Sequence, residues 1–248
     1  MDFDLAPYRG IDGFQSKVPD AVRDGTLAYP KDSIDVIQLL EHIRYCEATR
    51  DYLYGRAPRL PRYTPGSRPR LEALAAEALP AGRGYTDLEK VKRLLRIISE
   101  RVPHVYVCRK TQEWTAGYIT EERMLDRGFA YCNELARLFC SLCAIAGVPA
   151  RMLFLYNKDR VTGHVVAEAW IDGAWAFCDP SINYLPRPLA DGRRVNGELG
   201  KLDPEARGIL LEFDFRTLLV DYDVGDDYYA DLFDEFAIYE YEALEGSE

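Results

Sequence analysis

The chain has 248 residues, of which 48% are hydrophobic and 29% are charged. This balance is ordinary for a globular protein and argues against a disordered, collagen-like or membrane protein. The formal charge is −10, but residues 203–248 alone hold 15 acids and two bases, a net of −13, so residues 1–202 are near +3. Because acidic surfaces repel phosphate, we expect no nucleic-acid partner.

The first part of the chain is expected to be helical after an irregular lead-in. Residues 1–31 contain several Gly and Pro, and residues 33–54 follow with apolar side chains at helical spacing. The stripe of the predicted helix consists of Ile34, Ile37, Leu40, Ile43 and Leu53. Residues 56–69 are rich in Pro and Arg, which predicts a loop.

Two further helices and a short strand are predicted next. The first helix covers residues 70–79 and ends before Pro80. The second begins at the capping box formed by Thr86 and Glu89 and continues to about residue 102. Residues 105–108 alternate as a short strand would.

Residues 128–180 carry the strongest patterns. Residues 133–146 are apolar on almost every side, which predicts a helix buried in the core. Residues 152–156 are predicted to form a strand. Residues 164–171 and 174–179 flank the dipeptide Asp172-Gly173, a strong signal for a two-residue β-hairpin loop.

The hairpin loop fixes a register that brings a histidine close to a carboxylate. If Ile171 faces Ala174, paired residue numbers sum to 345, so Glu168 lies opposite Phe177 and Val166 opposite Asp179. His164 is then diagonal to Asp179, at about 7–8 Å between backbones, which the two side chains can bridge. Glu168 and Trp170 share this face. We expect Glu168 to form a salt bridge and Trp170 to pair with Trp175 across the two strands.

Cys132 lies at the start of the predicted buried helix. The amide groups and the positive dipole end of a helix N-terminus stabilise a thiolate. A nucleophilic thiolate also needs a base and a group that orients the base. Cys132, His164 and Asp179 could supply these three groups.

These residues resemble a known family when taken together. The segments that carry the resemblance are Gly128-Phe-Ala-Tyr-Cys132-Asn-Glu-Leu-Ala-Arg-Leu-Phe, Ala146-Gly-Val-Pro-Ala-Arg151, Gly163-His164, Glu168-Ala-Trp170, Gly173-Ala-Trp175 and Cys178-Asp179-Pro180. They are similar to the core of the transglutaminase-like superfamily. The resemblance implies a papain-like α+β fold in which a buried nucleophile helix packs on an antiparallel sheet. It also implies thioester chemistry, with Cys132 as nucleophile, His164 as base and then acid, and Asp179 as orienter.

An acyl-transfer site also needs donors for an oxyanion. The backbone N–H of Cys132 is the natural first donor. Relatives of this core often use an upstream Trp or Gln as the second, which makes Trp114 and Gln112 the candidates. Their spacing from Cys132 matches no defined pattern.

The resemblance leaves both ends of the chain unassigned. We expect residues 1–80 to be an N-terminal helical extension, residues 81–202 the catalytic core, and residues 203–248 an acidic extension that forms one structural domain with the core. Nine Tyr and Phe in this last segment favour its docking on the core, at least to Tyr241.

The remaining cysteines, histidines and acids favour structural roles. Cys140 and Cys143 form a CxxC pair within the buried helix, with no second pair, so core packing is favoured over a metal or redox site. His42 and His104 are interpreted as structural or surface residues. Residues 221–227 are rich in carboxylates but lack a calcium-binding loop pattern. We therefore expect no cofactor and no metal.

The expected activity is transfer of an acyl group from an amide or thioester donor to an amine. The donor would be a small molecule, a peptide or a carrier-bound acyl group. A peptidase or amidase that hydrolyses an amide bond is the alternative, and a binding module that has lost catalysis is a further one. The N-terminus resembles no export signal and no apolar run could span a bilayer, so we expect a cytoplasmic protein that is not bound to a membrane.

Overall fold

The computed structural model describes residues 43–59, 61–105, 107–108, 119–157, 162–212 and 235–239. In these residues a five-stranded sheet has the order β1-β5-β2-β3-β4, and every pair of neighbours is antiparallel. The strands are β1 (Ile43–Arg44), β2 (Ala150–Asn157), β3 (Thr162–Ile171), β4 (Ala174–Cys178) and β5 (Glu235–Tyr239). Helices flank the sheet, so the predicted α+β class is confirmed.

The described part of the chain contains seven helices. They are α1 (Glu47–Tyr54), α2 (Pro69–Ala78), α3 (Asp87–Arg101), α4 (Glu121–Arg127), α5 (Cys132–Ile145), α6 (Gly197–Leu202) and α7 (Pro204–Leu211). The side chain of Thr86 accepts a hydrogen bond from Glu89 N–H, and Glu89 accepts one from Thr86 N–H. This capping box fixes the start of α3 where the sequence predicts it. No described helix is long and apolar enough to cross a bilayer.

Helix α5 is enclosed as its composition predicts. It packs against β2 and β3 on one side and against α2, α3 and α4 on the others. Leu135, Leu138, Phe139 and Leu142 are fully buried. A helix held from all sides fixes the position of its first residue, Cys132.

The two faces of the sheet cover two apolar cores because side chains alternate along a strand. Met152 and Phe154 pack in the core that contains α5, whereas Leu153 and Leu155 pack with α1, α7 and β5. The sheet is therefore buried on both faces around β2.

The β3–β4 hairpin has the predicted register. Ile171 pairs with Ala174, Trp170 with Trp175 and Glu168 with Phe177. Asp172 and Gly173 have φ values of +54° and +83°, the left-handed region that a two-residue hairpin loop requires. The ladder ends at Cys178, however, and Asp179 instead forms a bridge with Tyr184, so the predicted pairing of Val166 with Asp179 is wrong.

Two other predictions on the N-terminal side are also wrong in part. Ile43 does not lie in a helix over residues 33–54, because it pairs with Ile238 in the sheet and the helix begins only at Glu47. Residues 33–42 are outside the described residues. Residues 105, 107 and 108 form turns rather than a strand, since the N–H groups of Val107 and Cys108 both donate to the carbonyl of His104.

The C-terminal segment contributes a strand within the sheet. β5 lies between β1 and β2, and its Phe236 and Ile238 are each 1% exposed. Helix α7, which opens the acidic segment, packs Ile209 and Leu210 into the same core. Tyr241 lies outside the described residues.

Candidate active site

Cys132 is presented by a tight connection between α4 and α5. Gly128 ends α4 with a φ of +74°, and Tyr131 is the N-cap of α5. The carboxylate of Glu134 accepts a hydrogen bond from Tyr131 N–H at 2.9 Å and forms a salt bridge with Arg127. Cys132 is thus the first residue of the helix, where its N–H has no intrahelical acceptor and the helix dipole favours a negative charge.

His164 and Asp179 form a buried pair. His164 Nε2 lies 2.7 Å from Asp179 Oδ2, and the two side chains are 5% and 0% exposed. Since Nε2 is taken by the carboxylate, Nδ1 is the ring nitrogen that remains for Cys132, whose thiol pKa His164 lowers. The structure therefore brings Cys132, His164 and Asp179 together.

The turn after β4 holds the carboxylate of Asp179 in place. Asp179 Oδ1 accepts a hydrogen bond from Ser181 N–H at 2.8 Å. Asp179 N–H donates to the carbonyl of Tyr184, and Tyr184 N–H donates back to Asp179, at 2.8 and 3.0 Å. Each oxygen of the carboxylate thus has a defined partner, so its orientation toward His164 is fixed.

The charges of Cys132 and His164 stabilise each other. Burial by itself would raise the pKa of the Cys132 thiol, but hydrogen bonds from His104 and His164 and their charges lower it to about 6. Burial would lower the pKa of His164, but the carboxylate of Asp179 and the side chain of Cys132 raise it to about 10. The two shifts favour a thiolate on Cys132 paired with an imidazolium on His164.

His104 is a member of this site that the sequence interpretation missed. It is 5% exposed and its side chain lowers the pKa of the Cys132 thiol, although the sequence predicted a structural or surface residue. Its position in the chain gave no signal, because it directly follows Pro103 and lies 28 residues before Cys132. The contact depends on the way the chain after α3 folds back onto Ala130.

The other residues singled out in the sequence lie around the site or in the core. Glu168 forms the expected salt bridge, with Arg151, at 2.6 Å. Trp170 and Trp175 pack edge to face, with ring centroids 5.4 Å apart. Cys140, Cys143 and Cys178 are buried free thiols, which fits core packing.

Trp114 and Gln112 lie outside the described residues, as do His42 and residues 221–227. Trp114 and Gln112 therefore stay predictions as oxyanion donors. Among the described residues, no group of three or more His, Cys, Asp or Glu side chains could hold a metal ion.

The sequence also matches a family. The model of the transglutaminase-like superfamily matches residues 72–180, a range that contains Cys132, His164 and Asp179. The predicted resemblance of this part of the chain to the transglutaminase-like superfamily is thereby confirmed. No curated protein matches the chain.

Solved structures give weaker similarities. A proposed cysteine protease from Cytophaga hutchinsonii is 19% identical, with a TM-score of 0.37, over 57% of this chain and 46% of that one. A proposed protease from Parabacteroides distasonis ATCC 8503 is 15% identical, with a TM-score of 0.34, over 44% and 23%. A protein named as a TGase is 13% identical, with a TM-score of 0.35, over 57% and 44%. The chain spans less than half the length of each, and at these TM-scores the similarities assign no activity.

Proposed function

We propose that the protein is a cysteine acyltransferase that forms a thioester on Cys132 and passes the acyl group to an amine. The observation that carries the proposal is the pairing of Cys132, at the start of a buried helix, with His164 and Asp179. The lowered pKa of the Cys132 thiol, about 6, supports a thiolate that is ready to react at neutral pH.

The proposed reaction has two halves that use the same residues. The Cys132 thiolate attacks the carbonyl carbon of an amide or thioester, and the C=O electron pair moves to oxygen. As the intermediate collapses, the bond to the leaving group breaks, and His164 gives its Nδ1 proton to that group. In the second half His164 takes a proton from the incoming amine, which attacks the thioester, and Cys132 leaves as a thiolate.

Asp179 has a positioning role in this proposal. Its carboxylate binds His164 Nε2, which turns Nδ1 toward Cys132 and stabilises the imidazolium.

Amine transfer and hydrolysis need the same triad. An acceptor amine competes with water only where the access of water to the acylated Cys132 is limited. The burial of His164 and Asp179 favours such limited access, because it leaves partly exposed Cys132 as the point of entry.

The six cysteines are free thiols, which supports a reducing compartment such as the cytoplasm for the proposed enzyme. The proposed partners are an amide or thioester donor, small, peptide or carrier-bound, and an amine acceptor.

Intact-mass spectrometry tests the proposal directly. The protein is incubated with a panel of amide and thioester acyl donors, with Cys132→Ala as the inactive variant and Cys140→Ala as the matched control. We expect an acyl adduct in the wild type and in Cys140→Ala but not in Cys132→Ala. Added amines should then discharge the adduct faster than water does; discharge that amines do not accelerate would favour a hydrolase.

A chemical probe separates an enzyme from a binding module. Iodoacetamide at neutral pH should label Cys132 ahead of the five other cysteines, and more slowly in His164→Ala. Uniform or absent labelling of Cys132 would contradict the proposed function, because a binding module has no need of an activated thiolate.

A further inference from the structure

A second histidine, His104, lies at the nucleophile. It follows the end of α3 and is 5% exposed. Two backbone hydrogen bonds fasten its segment just ahead of α5: Val105 N–H donates to the carbonyl of Ala130 at 2.9 Å, and Ala130 N–H donates to Pro103 at 3.2 Å. His104 is therefore held against the backbone two residues before Cys132.

The side chain of His104 is also fixed. Its ring meets the ring of Tyr131 edge to face, with centroids 6.2 Å apart and an angle of 74° between planes. From this position it acts on the side chain of Cys132 and, like His164, lowers the pKa of the thiol. Two histidines thus act on Cys132, and His164 is also bound to Asp179.

We propose that His104 is a second catalytic histidine, whose ring N–H first holds the Cys132 thiolate and then donates to the oxyanion of the acyl intermediate. The inference rests on the proposed function. It assigns to His104 the side-chain donor that the sequence placed at Trp114 or Gln112.

The chemistry of the attack explains how one donor serves both states. When the sulfur bonds to the carbonyl carbon, its electron pair is used in the new bond and it becomes a poor hydrogen-bond acceptor. The C=O pair moves to oxygen, so the negative charge appears on an atom attached to the same carbon. A donor within reach of the sulfur is close to that oxygen, and it can follow the charge with little movement.

The roles of the two histidines are then distinct. His164 moves protons, with Asp179 behind it, whereas His104 moves none and acts by donating hydrogen bonds. The backbone N–H of Cys132, at the start of α5, would be the second donor to the oxyanion. Within the described part of the chain, His104 and His164 favour the negative charge on Cys132, and Tyr131 interacts with it as well.

Two reagents distinguish the effect of His104 on the thiolate from its effect on the oxyanion. Iodoacetamide alkylates a thiolate at a saturated carbon and creates no oxyanion, whereas p-nitrophenyl acetate acylates the thiolate through an oxyanion and releases p-nitrophenolate. Both reactions are measured on Cys132 in a Cys46→Ser and Cys108→Ser background, which removes the other two cysteines that are not buried. The variants are His104→Phe, His104→Leu and His104→Gln.

We expect His104→Phe to shift the pH midpoint of alkylation upward by about one pH unit, because one hydrogen bond to the thiolate is lost. Acylation, compared at equal thiolate fraction, should fall by a further 10²-fold to 10³-fold, roughly the loss seen when one oxyanion donor is removed. His104→Gln should recover most of the acylation rate, since its amide keeps a donor. His104→Leu is a second donor-free variant in case Phe is not accommodated, and circular dichroism checks that each variant is folded.

Other results would overturn the inference. If donor-free variants lower acylation and alkylation by the same factor, His104 has no oxyanion role, and if neither reaction changes it has no role at Cys132. If Trp114→Phe or Gln112→Ala shows the selective acylation loss instead, the donor is there. If the wild type is alkylated selectively but never acylated, the proposed function and the oxyanion role both fail, while a shifted alkylation midpoint still verifies the contact with Cys132.

Discussion

Arg151 and Glu168 face each other across β2 and β3 in a salt bridge of 2.6 Å, with side chains 2% and 0% exposed. Glu168 also accepts hydrogen bonds from the Tyr54 hydroxyl at 2.8 Å and from Gly197 N–H at 2.7 Å. Tyr54 and Gly197 lie outside the residues that match the family. One buried carboxylate therefore joins α1 and α6 to the sheet that carries His164.

Replacing this carboxylate should cost much of the stability. We expect Glu168→Gln to lower the free energy of unfolding by about 3–5 kcal/mol, because the buried guanidinium of Arg151 loses its counter-charge. Urea unfolding measures the change. The control is Glu212→Gln, which breaks an exposed pair with Arg187 and should leave the unfolding midpoint where it is.

Asp179→Asn should slow acyl transfer by roughly 10²-fold to 10⁴-fold, mostly in kcat, because the amide does not stabilise the imidazolium and favours the wrong tautomer. The pKa of His164 should fall as well, since the carboxylate of Asp179 raises it. Steady-state kinetics with the best donor gives kcat, and the dependence of the rate on pH gives the pKa of His164. Asp191→Asn, at an exposed aspartate paired with Arg193, is the matched control and should behave as the wild type does. Equal loss in both variants would argue against a role for Asp179.

The activity should have a bell-shaped dependence on pH. Below about pH 6 Cys132 takes up a proton and the thiolate is lost, and above about pH 10 His164 loses the proton that the leaving group needs. The two limbs belong to the coupled pair rather than to either residue alone. Measuring kcat/KM from pH 5 to 11 checks this, and an acid limb near the pKa of an ordinary thiol would rule out the thiolate at neutral pH.

The CxxC pair should be dispensable for catalysis. Burial raises the pKa of the Cys140 thiol, and that of Cys143, well above the ordinary value, so neither is a thiolate at neutral pH. Cys140→Ala and Cys143→Ala should keep acyl transfer and lower the unfolding midpoint slightly. A redox protein would show the opposite, with activity lost in Cys140→Ala and kept in Cys132→Ala.

Local chemistry explains why part of the fold could be predicted. The Asp172-Gly173 loop needs positive φ values that few residues adopt, which sets the register of β3 and β4 and brings His164 near Asp179. The all-round apolar pattern of residues 133–146 requires a buried helix, and the Thr86 capping box marks the start of α3. These signals are contained in short stretches of chain.

The errors arise where a distant segment changes the local preference. Ile43 fits a helical stripe, but pairing with Ile238 places it in the sheet. Asp179 leaves the β4 ladder because its backbone bonds to Tyr184, yet its carboxylate still reaches His164.

Short stretches of the sequence were enough to predict three features of the core: the buried helix that begins at Cys132, the hairpin, and the nearness of His164 to Asp179. Each depends on residues within about 50 positions of one another, whose relative placement follows from turn geometry and from the periodicity of helices and strands. Three other features became visible only in the folded chain: His104 lies near Cys132, β5 enters the sheet beside β2, and Glu168 joins three parts of the chain. These contacts join residues far apart in sequence, and such long-range packing produces no periodic sequence pattern from which it could be predicted.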